Sequence, residues 1–223
     1  VNVPHKELYK DGEIEGLIKS PADLAAYFGK KGISNTSNIV IYDDGSNKYS
    51  SRVYWVLDYL GANNLRILHK DMDQWKAARL PLTRNKTAVK ATTFTPKTDA
   101  TILATAADVK ACSGNCVIVD ARHVTEYNGT SETPVSAGHI KGAINAEYKE
   151  FLDDKGAFKS ADQLKAVAGK YGLTADKTII LYCVTSVRAA VTYVALKEIL
   201  GYPNVKIYDG AYNEWKAQGG AMA

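Results

Sequence analysis

The 223-residue chain is 46% hydrophobic and 23% charged, which supplies ample material for a core and excludes a wholly disordered polypeptide. No apolar run approaches the roughly 20 residues of a membrane helix. A net charge of +4, with Lys and Arg scattered among acids, gives no clustered basic face for nucleic acid.

At about 150 residues per domain, the length corresponds to roughly one and a half domains, and an internal repeat accounts for the fraction. Offset by 140 residues, the chain matches itself without a gap from 19 to 80, with 17 identities in 62 positions. Lys19-Ser20 falls on Lys159-Ser160, Gly29-Lys30 on Gly169-Lys170 and Tyr42 on Tyr182. Leu60-Gly61 falls on Leu200-Gly201, and Trp75-Lys76-Ala77 on Trp215-Lys216-Ala217. A period of this length marks a duplicated domain rather than a solenoid, whose repeats run to roughly 20–50 residues. The same match sets Asp43 opposite Cys183 and Lys48 opposite Arg188.

In chain order, residues 1–80 form the first copy, 81–102 a linker rich in Thr, Lys and Pro, and 103–223 the second copy. The stretch from Leu103 to Lys110 is predicted to begin a helix. Cys116–Asp120 is a short apolar run with a polar end, hence a buried strand. Ser160 opens a helix with Leu164, Val167 and Ala168 on one face, stopping at Gly172. Thr178–Tyr182 is a second buried strand. The segment after Arg188 is helical through Leu200 and closes at Gly201. Val205–Tyr208 is a third strand, and Asp209-Gly210 leads into a helix carrying Trp215. This alternation predicts an α/β fold with mostly parallel sheets flanked by helices, present in two copies. Trp75 and Trp215, at equivalent positions, mark core packing. Residues 116–143 have no counterpart before Val1, so the first copy reads as incomplete at its N-terminus. An open sheet edge is a liability, and a separate N-terminal fragment is expected to complete it.

The strand Thr178–Tyr182 delivers Cys183 to a helix through Cys183-Val184-Thr185-Ser186-Val187-Arg188. Open α/β sheets place their sites at the carboxyl ends of strands. The N–H groups of the turn, the helix N-terminus and the Arg188 charge all favour the thiolate, the nucleophilic form. The same N–H groups can hold the oxygens or terminal sulfur of an anionic substrate. There is no CxxC pair and the four histidines are off metal spacing, so no metal site is expected.

The second copy resembles a rhodanese (thiosulfate sulfurtransferase) domain over its whole length. The resemblance is carried by Val119-Asp120-Ala121-Arg122, Glu126-Tyr127, Gly138 to Asn145, Tyr182 to Arg188, and Asp209-Gly210 with Trp215. The whole chain resembles a tandem-domain rhodanese. That resemblance implies a cysteine cycling between thiolate and persulfide, which takes a sulfane sulfur from thiosulfate and gives it to cyanide or a thiol. Four residues between Cys183 and Arg188 match the sulfur-transfer loop, whereas the related phosphatases carry five. Arg188 at the loop's end differs from the mercaptopyruvate branch, but Val184, Thr185 and Ser186 depart from both familiar loops, so that donor stays open.

By the same resemblance, Cys183 is the nucleophile and the N–H groups of Val184 to Arg188 stabilise the outer sulfur. Arg188 pairs with the substrate anion or a neighbouring carboxylate, while Thr185 and Ser186 donate hydroxyls to the persulfide. Asp120 and Arg122 fix the first strand's exit or support the cleft, and Glu126 is structural. His139 stabilises a loop, and Tyr148 lies where the family often carries an aromatic near the cleft. Asp43 cannot carry a persulfide, so the first copy should be silent and form one wall of the cleft. The partners expected are a small-molecule sulfur donor and acceptor and the N-terminal fragment, with no nucleic acid or membrane. No cofactor is expected beyond the cysteine persulfide itself. A persulfide-carrier module is the alternative, and a phosphatase or arsenate reductase is disfavoured by loop length. Cys112 and Cys116 flank the turn-forming Ser113-Gly114-Asn115. A disulfide there would indicate a periplasmic rather than a cytoplasmic location, and two free cysteines fit equally.

Overall fold

The computed structural model describes residues 1–69, 72–132 and 138–223. Its C-terminal half is a five-stranded, all-parallel sheet. The strands are β3 (Leu103–Ala104), β4 (Cys116–Asp120), β5 (Ile144–Asn145), β6 (Thr178–Tyr182) and β7 (Val205–Tyr208), in the order β3-β7-β6-β4-β5. β6 is central and buried from Ile179 onward because its apolar run meets helices on both faces. Its neighbours α6 (Ala161–Lys170), α7 (Val187–Tyr193) and α8 (Ala211–Ala217) cover the sheet together with α4 (Ala106–Ala111) and the short α5 (Val124–Tyr127). Ser160 caps α6 in a capping box with Gln163. The sheet is therefore α/β, parallel and helix-flanked.

The N-terminal half holds α1 (Pro21–Lys30), β1 (Ile39–Ile41), α2 (Lys48–Tyr59), β2 (Leu65–Ile67) and α3 (Met72–Ala77). β1 and β2 form a two-stranded parallel sheet. Ser20 caps α1 as Ser160 caps α6. The other edge of β1 borders an open apolar cleft of about 790 Å³, lined among others by Val1, Val3, Ile39, Ile41 and Leu57. The repeat's Lys70 and Asp71 lie outside the described residues.

One sequence expectation is corrected. Leu103-Ala104 is not helical: it pairs with β7 as an edge strand, and α4 starts after Thr105, whose side chain and Asp108 form a capping box. Residues 81–102 pack along the N-terminal half. Thr92 N–H donates to Gly29 O, Lys97 N–H to Leu60 O and Asp99 N–H to Tyr59 O, while Phe94 is buried against Phe28.

The halves meet along α2 and α7 through a reciprocal pair of contacts. Tyr54 Oη donates to Glu198 at 2.8 Å, and Tyr193 Oη donates to Asp58 at 2.7 Å. Tyr54 and Tyr193 are 139 residues apart, not 140, and the cause lies at both ends of the helix. Each helix is preceded by a residue in the left-handed region, Asn47 (φ 54°) and Ser186 (φ 58°). Asn47 lies four residues after Asp43, whereas Ser186 lies three after Cys183, so the first loop is one residue longer. α7 then continues as a π-helical turn, Val194–Ile199, with Leu200 N–H bonded to Ala195 O where Leu60 N–H bonds to Val56 O. That wider turn absorbs one residue and restores the 140 offset at Leu60-Gly61 and Leu200-Gly201. Through the loop and helix start, Arg188 therefore corresponds to Tyr49 and not to Lys48, which corrects the gapless pairing.

Candidate active site

Cys183 stands at the end of β6 as the one free cysteine among the described residues and is 1% exposed. The carbonyls of Cys183 and Val184 are drawn away from the site by the N–H groups of Tyr212 (3.0 Å) and Asn213 (3.4 Å) at the start of α8. With its carbonyls turned back, the loop leaves its N–H groups forward. Among the described residues, those of Val184 through Arg188 engage in no hydrogen bond.

The first half supplies the comparison. There Asp43 accepts from the N–H groups of Gly45 (2.9 Å), Asn47 (3.1 Å), Tyr49 (3.1 Å) and Ser50 (3.1 Å). A turn followed by a helix N-terminus is an anion cradle, and in the first half the chain fills it with its own carboxylate. Among the described residues the Cys183 cradle has no such occupant.

Arg188 does not project freely into the cleft. Its guanidinium is bound by both oxygens of Glu126, at 2.6 and 2.9 Å. Burial raises the Glu126 carboxyl, but the Arg188 hydrogen bonds and charge outweigh it and hold Glu126 below its ordinary value. Desolvation opposes the charge on Arg188, yet Glu126 and Cys183 beside it stabilise the cation. Glu126 was read as structural in the sequence; its pairing with Arg188, 62 residues away, is set by tertiary contact.

Ser186 corrects another expectation. Its hydroxyl donates to Tyr208 O at 2.6 Å and is fully buried, so it locks the loop to β7 instead of facing a persulfide. Thr185 and Val187 line a cleft of about 560 Å³ with Arg188, Tyr148, Tyr9 and Lys48. Asp120 and Arg122 lie outside it, in a fully buried ion pair at 2.6 Å beneath the exit of β4. Tyr182 Oη donates to Asp120 and accepts from Ile140 N–H, tying this pair to the Gly138–Asn145 segment. His139 stacks on Tyr127 at 3.6 Å, away from the cleft.

The N-terminal half forms the opposite wall, with His5, Lys6, Tyr9, Glu15, Lys48 and Tyr49. Apart from Lys48, singled out as the residue opposite Arg188, none of these stood out in the sequence, because nothing local distinguishes them from surface residues. A buried pair locks this wall in place. Arg52 Nη2 donates to Asp209 at 2.6 Å and to Gly16 O at 2.7 Å, and Ile18 N–H donates to the other Asp209 oxygen at 2.9 Å. Gly16 (φ +104°) lies directly against Thr185; a Cβ there would fall 2.7 Å from the Thr185 Cβ. Only glycine fits. Cys112 and Cys116 are joined in a disulfide remote from this cleft. Among the described residues no cluster of three or more His, Cys, Asp or Glu could hold a metal ion, and no helix is long and apolar enough to cross a membrane.

Residues 105–218 match the rhodanese-like domain. The chain belongs to the rhodanese family. Over 210 residues it is 32% identical to the sulfur carrier protein TtuD of Thermus thermophilus, covering 88% of this chain and 74% of that protein. It is 33% identical over 202 residues to a thiosulfate sulfurtransferase of Pseudomonas aeruginosa, covering 90% and 74%. The rhodanese-fold 3-mercaptopyruvate sulfotransferase SseA of Escherichia coli superposes with a TM-score of 0.84 at 27% identity, over 94% of this chain and 80% of that one. An anaerobic ergothioneine biosynthesis enzyme from Chlorobium limicola shares the fold, with a TM-score of 0.82 at 20% identity, over 92% of this chain and 55% of that one.

Proposed function

We propose that this rhodanese is a sulfurtransferase that moves a sulfane sulfur from thiosulfate, or a similar anionic donor, to cyanide or a thiol through a persulfide on Cys183. The observation that carries this reading is the contrast between two equivalent cradles, one filled by the Asp43 carboxylate and one facing a free cysteine. In the first step the Cys183 thiolate attacks the outer sulfur of thiosulfate. The donor's S–S bond breaks, and its electron pair leaves on sulfite. The new terminal sulfur, now anionic, is held by the N–H groups of Val184 to Arg188 and by the Thr185 hydroxyl. Arg188, kept in place by Glu126, contributes its charge at short range, and Tyr148 lines the donor's approach. Cyanide or a thiolate then attacks the terminal sulfur, and the electron pair of the breaking S–S bond returns to Cys183. No metal or organic cofactor takes part.

Thiocyanate formation from thiosulfate and cyanide tests this. The protein should turn over, and Cys183→Ala should abolish both turnover and the one-sulfur adduct seen by mass spectrometry. A second reading, a persulfide carrier serving a partner protein, draws on the likeness to a sulfur carrier protein. A stable adduct without cyanide turnover would favour it, and turnover with 3-mercaptopyruvate but not thiosulfate would reassign the donor.

We further propose a tandem arrangement, with residues 1–80 as a silent rhodanese-like domain and 103–223 as the active one. The Cys112–Cys116 disulfide supports a periplasmic location.

A further inference from the structure

Tyr9 comes from the N-terminal half, 174 positions before Cys183 in the chain, and the sulfur-transfer scheme above makes no use of it. Its side chain is 9% exposed, and its hydroxyl has no hydrogen-bond partner among the described residues. A buried O–H without a partner is costly to a fold and calls for an explanation, of which a catalytic role is one. The phenol opens on the cleft lined by Thr185, Val187, Arg188 and Tyr148. It lies beside the Thr185 side chain of the Cys183 loop.

The placement is rigid. Tyr9 forms an antiparallel bridge with Ile18, flanked by hydrogen bonds from Lys10 N–H to Leu17 O and from Lys19 N–H to Leu8 O. Its ring lies 5.8 Å from the Arg52 guanidinium, the same group that anchors this hairpin to Asp209 beyond β7. The edge of the His5 ring closes the other side at 5.7 Å.

We propose that the Tyr9 hydroxyl completes the Cys183 cradle from across the cleft, donating a hydrogen bond to the anionic outer sulfur as it passes from the donor to Cys183. This rests on the sulfurtransferase reading and adds a catalytic residue to it. No proton moves. The O–H stays on Tyr9 while the S–S bond to sulfite breaks and the bond to Cys183 forms, and the hydrogen bond is lost when an acceptor carries the sulfur away. The N–H groups of the loop approach the sulfur from the side of α7, and Tyr9 approaches from the opposite wall, so only the closed pairing of the two halves encloses it. Burial pushes the phenol up from its ordinary value, partly countered by Arg52, so at neutral pH it is a donor.

The test is Tyr9→Phe in the full chain, which removes one oxygen and keeps the ring. Removing a preorganised donor of this kind typically costs about a hundredfold or more in rate. We expect kcat/KM for thiosulfate to fall at least roughly tenfold and less one-sulfur adduct to accumulate at a given thiosulfate concentration. The melting temperature should not fall, since the deleted hydroxyl bonds to nothing in the free protein. Rates of sulfur uptake and discharge both within about twofold of the parent would overturn the assignment. A loss of activity together with a lowered melting temperature would also overturn it, by making the hydroxyl structural. If the parent protein itself takes up no sulfur from thiosulfate or 3-mercaptopyruvate, the sulfurtransferase reading fails first, and that outcome is distinct from an active parent with an equally active variant.

Discussion

Arg188 presents both terminal nitrogens to the two carboxylate oxygens of Glu126, in a fork-to-fork pair that leaves its side chain 22% exposed. The arginine that ends the Cys183 loop is thus spoken for by α5, which fixes the loop to the β4 side of the sheet. Because the Glu126 carboxyl titrates below its ordinary value, the pair stabilises the fold fully above the unfolded-state value of about 4.3 and loses its contribution as pH falls through the folded-state one. Glu126→Gln should therefore be less stable than the parent by about 1.5–3 kcal/mol at pH 7 in urea unfolding. The difference should shrink on acidification below the carboxylate range. A difference that persists undiminished at low pH would contradict the assignment.

Asp58 carries the opposite sign. Burial raises its carboxyl, with the hydrogen bond from Tyr193 acting against that and the nearby Glu198 adding to it. A carboxyl raised on folding favours the folded state most at low pH, and its contribution declines as pH rises through the folded-state value. Asp58→Asn keeps an oxygen that can accept from Tyr193 and removes the charge. It should raise the melting temperature at pH 7, and its advantage should narrow toward pH 4. A lower melting temperature at pH 7 would show that the charged form is the one the α2–α7 contact requires.

Asp209 is the sole carboxylate partner recorded for the fully buried Arg52 among the described residues. Asp209→Asn leaves a guanidinium without its counter-charge, and such losses cost about 3–5 kcal/mol. Since the same carboxylate accepts from Ile18 N–H and so ties the two halves together, the variant should unfold at clearly lower urea and lose sulfur-transfer rate in parallel. Full activity in a destabilised variant would show that the N-terminal wall is dispensable.

Asp43 gathers four N–H groups at the start of α2. Asp43→Ala strands them and should cost about 1–3 kcal/mol of stability. Sulfur uptake at Cys183 should stay within about threefold, because this cradle is occupied by protein rather than substrate. A large loss of activity without loss of stability would mean that the first cradle takes part in turnover.

The regular elements were legible because their signals are local. The apolar runs Cys116–Asp120, Thr178–Tyr182 and Val205–Tyr208 are the observed strands to the residue, and Ser160 caps its helix as its spacing from Gln163 requires. Leu103-Ala104 carries no strand signal because two residues show no period; pairing with β7 makes them a strand. The offset between Arg188 and Tyr49 was hidden for another reason. A longer loop and a π turn are compensating one-residue changes, and a gapless alignment passes over both.

By itself the sequence determined the strand–loop–helix unit that carries Cys183 and the self-match that sets Asp43 opposite it, since each depends on residues close in the chain or at one fixed offset. Among the described residues the chain forms a five-stranded sheet and a two-stranded one. Only the tertiary structure decided that Arg188 belongs to Glu126, that Ser186 faces Tyr208 and not the cleft, and that Arg52, Asp209 and Tyr9 meet at the site. Those contacts join residues separated by 22 to 157 positions. They are selected by packing, by the cost of leaving a charge or hydroxyl unpaired in the interior, and by the close approach that Gly16 permits.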